Sequence, residues 1–155
     1  MDNFQDYYAK VMAHIAKKGV GVLATANQNV PMTRMVSFVV YDDKIAFQTS
    51  KKLEKYVQIA TNSAVALNFT NINIQGKARI QSGQVLTHEK FRALFQEKHQ
   101  GSFDTYSHMA SNRVVEISPE TIVLWEYEAG EPFLIFLDVR HQTFRKAHYD
   151  HTDTD

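Results

Sequence analysis

Arg34 stands in the run Pro31-Met32-Thr33-Arg34-Met35-Val36-Ser37-Phe38. Two-residue alternation puts its guanidinium on the same face as Met32, Val36 and Phe38. A permanent cation on an apolar face is costly to bury alone, so it must meet an anion or open to water at the strand end. An exposed sheet rim or a salt bridge to a core carboxylate would satisfy it without a ligand. Further along, Thr49-Ser50-Lys51-Lys52 lies where a strand gives way to a helix. Free N–H groups at a helix start, two hydroxyls and two ammonium groups suit a phosphate. Lys55, one turn on, can point back to the same spot. The plain alternative is a capped surface helix with solvated lysines.

Other chemistry finds less support. Trp125 is the one tryptophan; it could lie against a planar ring or simply pack in a core. His141, His148 and His151 alternate with Asp150, Asp153 and Asp155. A metal site is conceivable there, but no His-x-x-x-His helix face exists, so a solvated tail without metal is expected. There is no Gly-x-Ser-x-Gly elbow, no Walker loop and no dinucleotide-type glycine pattern.

The elements that must position these residues follow from patterning. The chain has 155 residues, 44% of them hydrophobic, which suits one domain with a sizeable core. It has no cysteine, which excludes disulfides and thiolate chemistry. The 17 basic residues balance 17 acidic ones, which argues against broad nucleic-acid or membrane binding. Met1–Gln5 does not read as a signal peptide, and Met35–Tyr41, the most apolar stretch, is too short to span a bilayer. The expectation is a cytoplasmic protein with no membrane and no nucleic-acid partner.

Asp2 is a candidate cap for a helix running to about Lys18 and stopped by Gly19. Strands are expected at Val20–Ala26, Met32–Tyr41 and Lys44–Thr49, with turns at Asn27–Asn29 and Asp42-Asp43. Ser50 is the candidate cap of a helix to about Ala60. Ala64–Thr70 and Ile72–Gln81 are further strands, the second alternating cleanly between apolar and polar residues. Thr87 begins a helix to about His99, and Gly101–Ser111 reads as irregular. Val114–Ile117, Thr121–Tyr127 and Pro132–Val139 complete the strands. Seven or eight strands, mostly hairpin-connected, make an antiparallel β-barrel with peripheral α-helices, mainly β in class. Residues 1–140 form that single domain, and 141–155 read as a polar, frayed C-terminal tail.

Taken in order, these pieces resemble the pyridoxamine 5′-phosphate oxidase-like family of FMN-binding split barrels over roughly Val20–Tyr127. The resemblance rests on Arg34-Met35-Val36, on Phe47-Gln48-Thr49 leading into a helix bearing Lys55, Gln58 and Ile59, on Asn62 and Val65–Phe69, on Ile72-x-Ile74-x-Gly76-Lys77-Ala78, and on the late Trp125. It implies a six- to eight-stranded antiparallel split barrel, a homodimer and FMN at the dimer interface. It places Arg34 against the flavin's polar tail and the backbone of Met35, Val36 and Ser37 along the ring. Gln48 and Thr49 fall at the ribityl-phosphate end, and Lys55 at the phosphate, with Ser50 and Lys51 as substitutes for a Ser-Arg-Lys run that here reads Leu53-Glu54-Lys55. Asn71 replaces a ring-touching glutamine, and Trp125 approaches from the partner subunit.

A lysine that would hold a vitamin phosphate is replaced by Val39, so flavin is better supported than pyridoxamine 5′-phosphate. The expected activity is an FMN-dependent oxidoreductase acting on a small molecule. The alternative is a non-catalytic flavin- or haem-binding module for stress or sensing. An oligonucleotide-binding barrel is weaker, since Lys77 and Arg79 lack interleaved aromatics.

Overall fold

The computed structural model describes residues 3–154 of the chain. Its first element, α1 (Phe4–Lys18), buries Phe4, Tyr7, Val11, Met12 and Ile15, the stripe that three- and four-residue spacing demands. Asn3 caps it by accepting the Asp6 N–H at 2.9 Å, and Gly19 closes it at φ 70°. Asp2, the expected cap, lies outside the described residues.

Among the described residues nine strands form one sheet: β1 (Val20–Asn27), β2 (Val30–Ser37), β3 (Val39–Tyr41), β4 (Lys44–Ser50), β5 (Ala64–Phe69), β6 (Ile72–Ile80), β7 (Asn112–Glu128), β8 (Glu131–Asp138) and β9 (Thr143–His148). All pairings are antiparallel, in the order β2-β1-β5-β6-β7-β4-β3, with β8 and β9 added along β7. The β1–β2 ladder runs one step further where the Phe38 N–H donates to the Gly19 carbonyl at 2.7 Å, and Phe38 alone links β2 to β3, the two ends of that path. This is the expected split barrel with peripheral helices. Two of its tight turns need positive φ at both central residues, met by Gln28-Asn29 and Asp42-Asp43.

Several boundaries differ from expectation. The single strand over Met32–Tyr41 is two, because Phe38 leaves β2 and its side chain turns inward, fully buried. The two strands expected over 114–127 are one bent strand, β7. Its register with β6 shifts between Gln75 and Gly76, opposite Pro119. Gly76 is required there, since a Cβ would stand 2.4 Å from the Ser118 carbonyl oxygen. The bend lets β7 pair β4 with its first half and β8 with its second.

The frayed tail is also corrected. Thr143–His148 is β9, paired with β8 from Asp138↔Thr143 to Phe133↔His148, so its polar side chains alternate on an edge strand rather than mark disorder. Ser50 does not cap a helix; it ends β4, and α2 (Glu54–Thr61) begins after Leu53. Likewise Thr87 closes a short 3₁₀ turn before α3 (Glu89–Lys98). Within the stretch read as irregular, Gln100–Tyr106 forms α4.

The main core fills the barrel under α1. A second cluster of Val39, Ala46, Val85, Phe91, Phe95 and Val114 seats α3 on the outside.

Candidate functional site

The end of β4 carries Gln48, Thr49 and Ser50 along the floor of a cleft of about 500 Å³. That volume is in the range of small-molecule sites. Met35, Val36 and Ser37 flank it where β2 leaves the sheet before Phe38. Lys52, Leu53 and Lys55 come from the joint between β4 and α2. The opposite wall is Phe95 of α3, Ser102 and Tyr106 of α4, and Met109. The fold thus brings together seven expected residues: Met35, Val36, Ser37, Gln48, Thr49, Ser50 and Lys55. Lys51 does not line the cleft, and Lys52 does.

The electrostatics of one end call for an anion. Burial lowers the Lys55 ammonium's pKa below its ordinary value, and the Arg34 guanidinium lowers it further. Arg34 is itself lowered by burial, against a smaller upward effect of Glu54. Its Nη1 donates to the Thr25 hydroxyl at 2.7 Å and, at 3.4 Å, to the carbonyls of Leu23 and Met32. The Thr25 hydroxyl in turn donates to Gln58, a buried residue of α2. Arg34 is thus held by hydroxyl and carbonyl oxygens beside the cleft rather than by a core carboxylate. Among the described residues the buried Thr49 Oγ1 has no hydrogen-bond partner. A buried unpaired hydroxyl costs about 1–3 kcal/mol, and its neighbourhood is where a partner is to be sought.

Asn71 and Trp125 lie elsewhere in the chain's own fold. The Asn71 Nδ2 donates to the Trp125 carbonyl at 2.8 Å, and the Trp125 N–H to the Asn71 carbonyl at 3.1 Å. The indole meets the Tyr149 ring edge-on at 5.3 Å and Tyr127 at 6.0 Å. In the C-terminal region, His148 and His151 both bond Glu131, at 2.9 and 3.1 Å, and His141 bonds Asp138 at 2.8 Å. Among the described residues no group of three such side chains is arranged to hold a metal ion, and Asp155 lies outside those residues.

Patterning missed the α3–α4 wall. Phe95 pairs with Phe91 on the buried stripe of α3, and nothing in that spacing signals its second role at the cleft. Around Gly101 apolar periodicity is absent, and α4 buries none of its residues. Its attachment is a partly buried Phe103 packed against the cluster under α3, together with polar contacts: Ser107 Oγ donates to Gln48 Oε1 at 2.8 Å, and Asn112 Nδ2 to the Tyr106 carbonyl at 2.9 Å.

A family model described as pyridoxamine 5′-phosphate oxidase matches residues 9–126. Among solved structures, a putative pyridoxamine 5′-phosphate oxidase from Listeria innocua superposes with a TM-score of 0.60 at 20% identity, over 76% of this chain and 97% of that one. A pyridoxamine 5′-phosphate oxidase-related, FMN-binding protein from Nostoc punctiforme does so with 0.62 at 14% identity, over 97% and 98%. HutZ, the haem storage protein of Vibrio cholerae, gives 0.64 at 13% identity, over 75% and 92%. These likenesses show the fold. No curated protein sequence matches the chain. No described helix is long and apolar enough to cross a membrane.

Proposed function

Since the chain belongs to the pyridoxamine 5′-phosphate oxidase family, we propose that it binds FMN and is an oxidoreductase of a small organic substrate. In this reading it works as a cytoplasmic homodimer with flavin between the subunits. The observation that carries the reading is a cleft lined by Thr49, whose buried hydroxyl meets no hydrogen-bond partner among the described residues, and by Lys55, whose ammonium forms no ion pair among them. A phosphate monoester supplies what both lack: acceptor oxygens for Thr49 and negative charge for Lys55 and, beside them, Arg34. Met35, Val36, Phe95 and Met109 offer apolar wall for a ring system. Bound flavin supplies the hydride-accepting chemistry; this chain's residues bind it, orient it and keep water from its faces.

The dimer reading is supported by apolar surface beside the cleft. Val30, Met32 and Met35 of β2 are exposed, as are Leu53 and Val57 at α2. Large apolar side chains gathered like this suit a protein–protein contact. Asn71 and Trp125, paired outside their own chain's cleft, are assigned to the flavin of the second copy.

A second reading, haem binding, has its own observation: Met35 and Met109 both line the cleft, and thioethers ligate haem iron. Titration of the purified protein with FMN, riboflavin and haemin, followed by absorbance and flavin fluorescence, tests both. FMN is expected to bind with a micromolar or lower Kd and to outcompete riboflavin. Haemin binding with no FMN binding establishes the second reading instead.

Thr49→Val is expected to separate the ligand's needs from the fold's. The valine is nearly isosteric and removes the unpaired oxygen, so the ligand-free protein should melt at the same temperature or higher. FMN affinity should fall about 3- to 10-fold, the worth of one hydrogen bond. Thermal melting with and without FMN checks both signs.

A further inference from the structure

Gln48 lines the cleft, and its side-chain oxygen is already taken. The Ser107 hydroxyl, which is 1% exposed, donates to Gln48 Oε1 at 2.8 Å. A primary amide whose oxygen accepts from the protein has two N–H donors left, and among the described residues no acceptor meets Gln48 Nε2. Ser107 is itself held firmly. Its N–H donates to the Phe103 carbonyl at 3.1 Å, and the Asn112 side chain and the Met109 N–H fix the Tyr106 carbonyl at 2.9 and 3.0 Å. Asn112 pairs with Ser50 in the sheet, so the end of α4 is tied to the strand that carries Gln48.

We propose that Ser107 is a positioning residue that fixes the Gln48 amide with its NH₂ toward the cleft, selecting ligands that present a carbonyl or phosphate oxygen at that point. The inference rests on the flavin reading, because FMN offers such oxygens on its ring and its phosphate. Without Ser107, the amide can rotate about its last torsion and present oxygen to oxygen. In the observed arrangement the hydroxyl donates to Oε1 and the amide N–H groups are left for a ligand, so an oxygen at that place is favoured over an N–H. The link runs through Gln48 alone, so removing Ser107 should matter only while Gln48 is present.

The experiment is a double-mutant cycle on FMN affinity with Ser107→Ala, Gln48→Ala and both together, each with its melting temperature. Ser107→Ala is expected to weaken FMN about 3- to 10-fold, and the double variant should bind no more weakly than Gln48→Ala. A parent that binds FMN while Ser107→Ala binds it equally well overturns the inference alone. So do additive effects of the two substitutions. A parent that binds no FMN overturns the flavin reading, and this inference with it. Should Ser107→Ala not fold, nitrogen-edited NMR of the unaltered protein decides. The Gln48 side-chain amide protons should shift on FMN addition, and their failure to shift overturns the proposal.

Discussion

Replacing Lys55 by alanine is expected to weaken FMN binding about 10- to 100-fold and to leave riboflavin binding within about twofold. The range is that of a hydrogen bond to a charged group. The contrast between the ligands follows because riboflavin has no phosphate for the ammonium to meet. Without ligand, Lys55 is held below its ordinary pKa by burial first and by the Arg34 charge second. A phosphate reverses the second effect and offsets part of the first, so binding should draw a proton onto Lys55 at alkaline pH.

The sign of the pH dependence follows from the same shift. FMN affinity falls as pH rises through the lowered Lys55 pKa, because the ammonium is then lost. The ligand-free protein behaves oppositely. Its unfolded chain keeps the lysine protonated to about 10.5, higher than the folded chain does, so this group's contribution to stability improves as pH rises between the two values. Lys55→Met should remove that slope and raise the melting temperature of the ligand-free protein while weakening FMN. Calorimetry across pH, with FMN and with riboflavin, checks all of these. Equal loss of both ligands in Lys55→Ala would remove the phosphate from the assignment.

Phe38→Ala is expected to cost about 3–5 kcal/mol, the usual penalty for emptying a buried aromatic site. For a chain of this length that lowers the melting temperature by roughly 10 °C or more. Phe38 is fully buried and meets Phe47 and Phe69 edge-on, with centroids 5.7 and 5.5 Å away. Its backbone is held on both sides: the N–H bonds Gly19, and the carbonyl accepts from His99 Nε2 at 2.9 Å. The ring also fixes where β2 ends, and so where Met35, Val36 and Ser37 enter the cleft. Denaturant unfolding measures the first effect. FMN titration of the folded fraction should show weaker binding as well, because the cleft wall loses its anchor. A loss under about 1 kcal/mol would mean that the site collapses around the missing ring.

The alternation Ile72-Ile74-Gly76-Ala78 determined β6 and its buried face, and the Asp42-Asp43 and Gln28-Asn29 pairs determined their turns. Both signals are local, so a single chain carries them. Arg34 on an apolar face and the cationic Lys51–Lys55 run were equally local, and they pointed to one end of the cleft. What neighbours a residue across the fold is not local. By pattern Phe38 is one more strand residue, and only its edge-on contacts with Phe47 and Phe69 set it apart; by pattern β7 is two strands, and only its pairing with β6 across the bend makes it one. The polar stretch 143–148 is a strand only because β8 offers an edge whose N–H and C=O groups need partners.

The α4 wall shows the same division at the site. The sequence by itself determined the residue types that seek an anion, because charge and hydroxyl chemistry belong to each side chain alone. Only the tertiary structure decided that Ser107 would hold Gln48, that Thr49 would meet no partner among the described residues, and that Asn71 and Trp125 would sit apart from their own chain's cleft. Those facts depend on contacts between residues dozens of positions apart, and no pattern along the chain encodes the distance between two elements that meet only when the barrel closes.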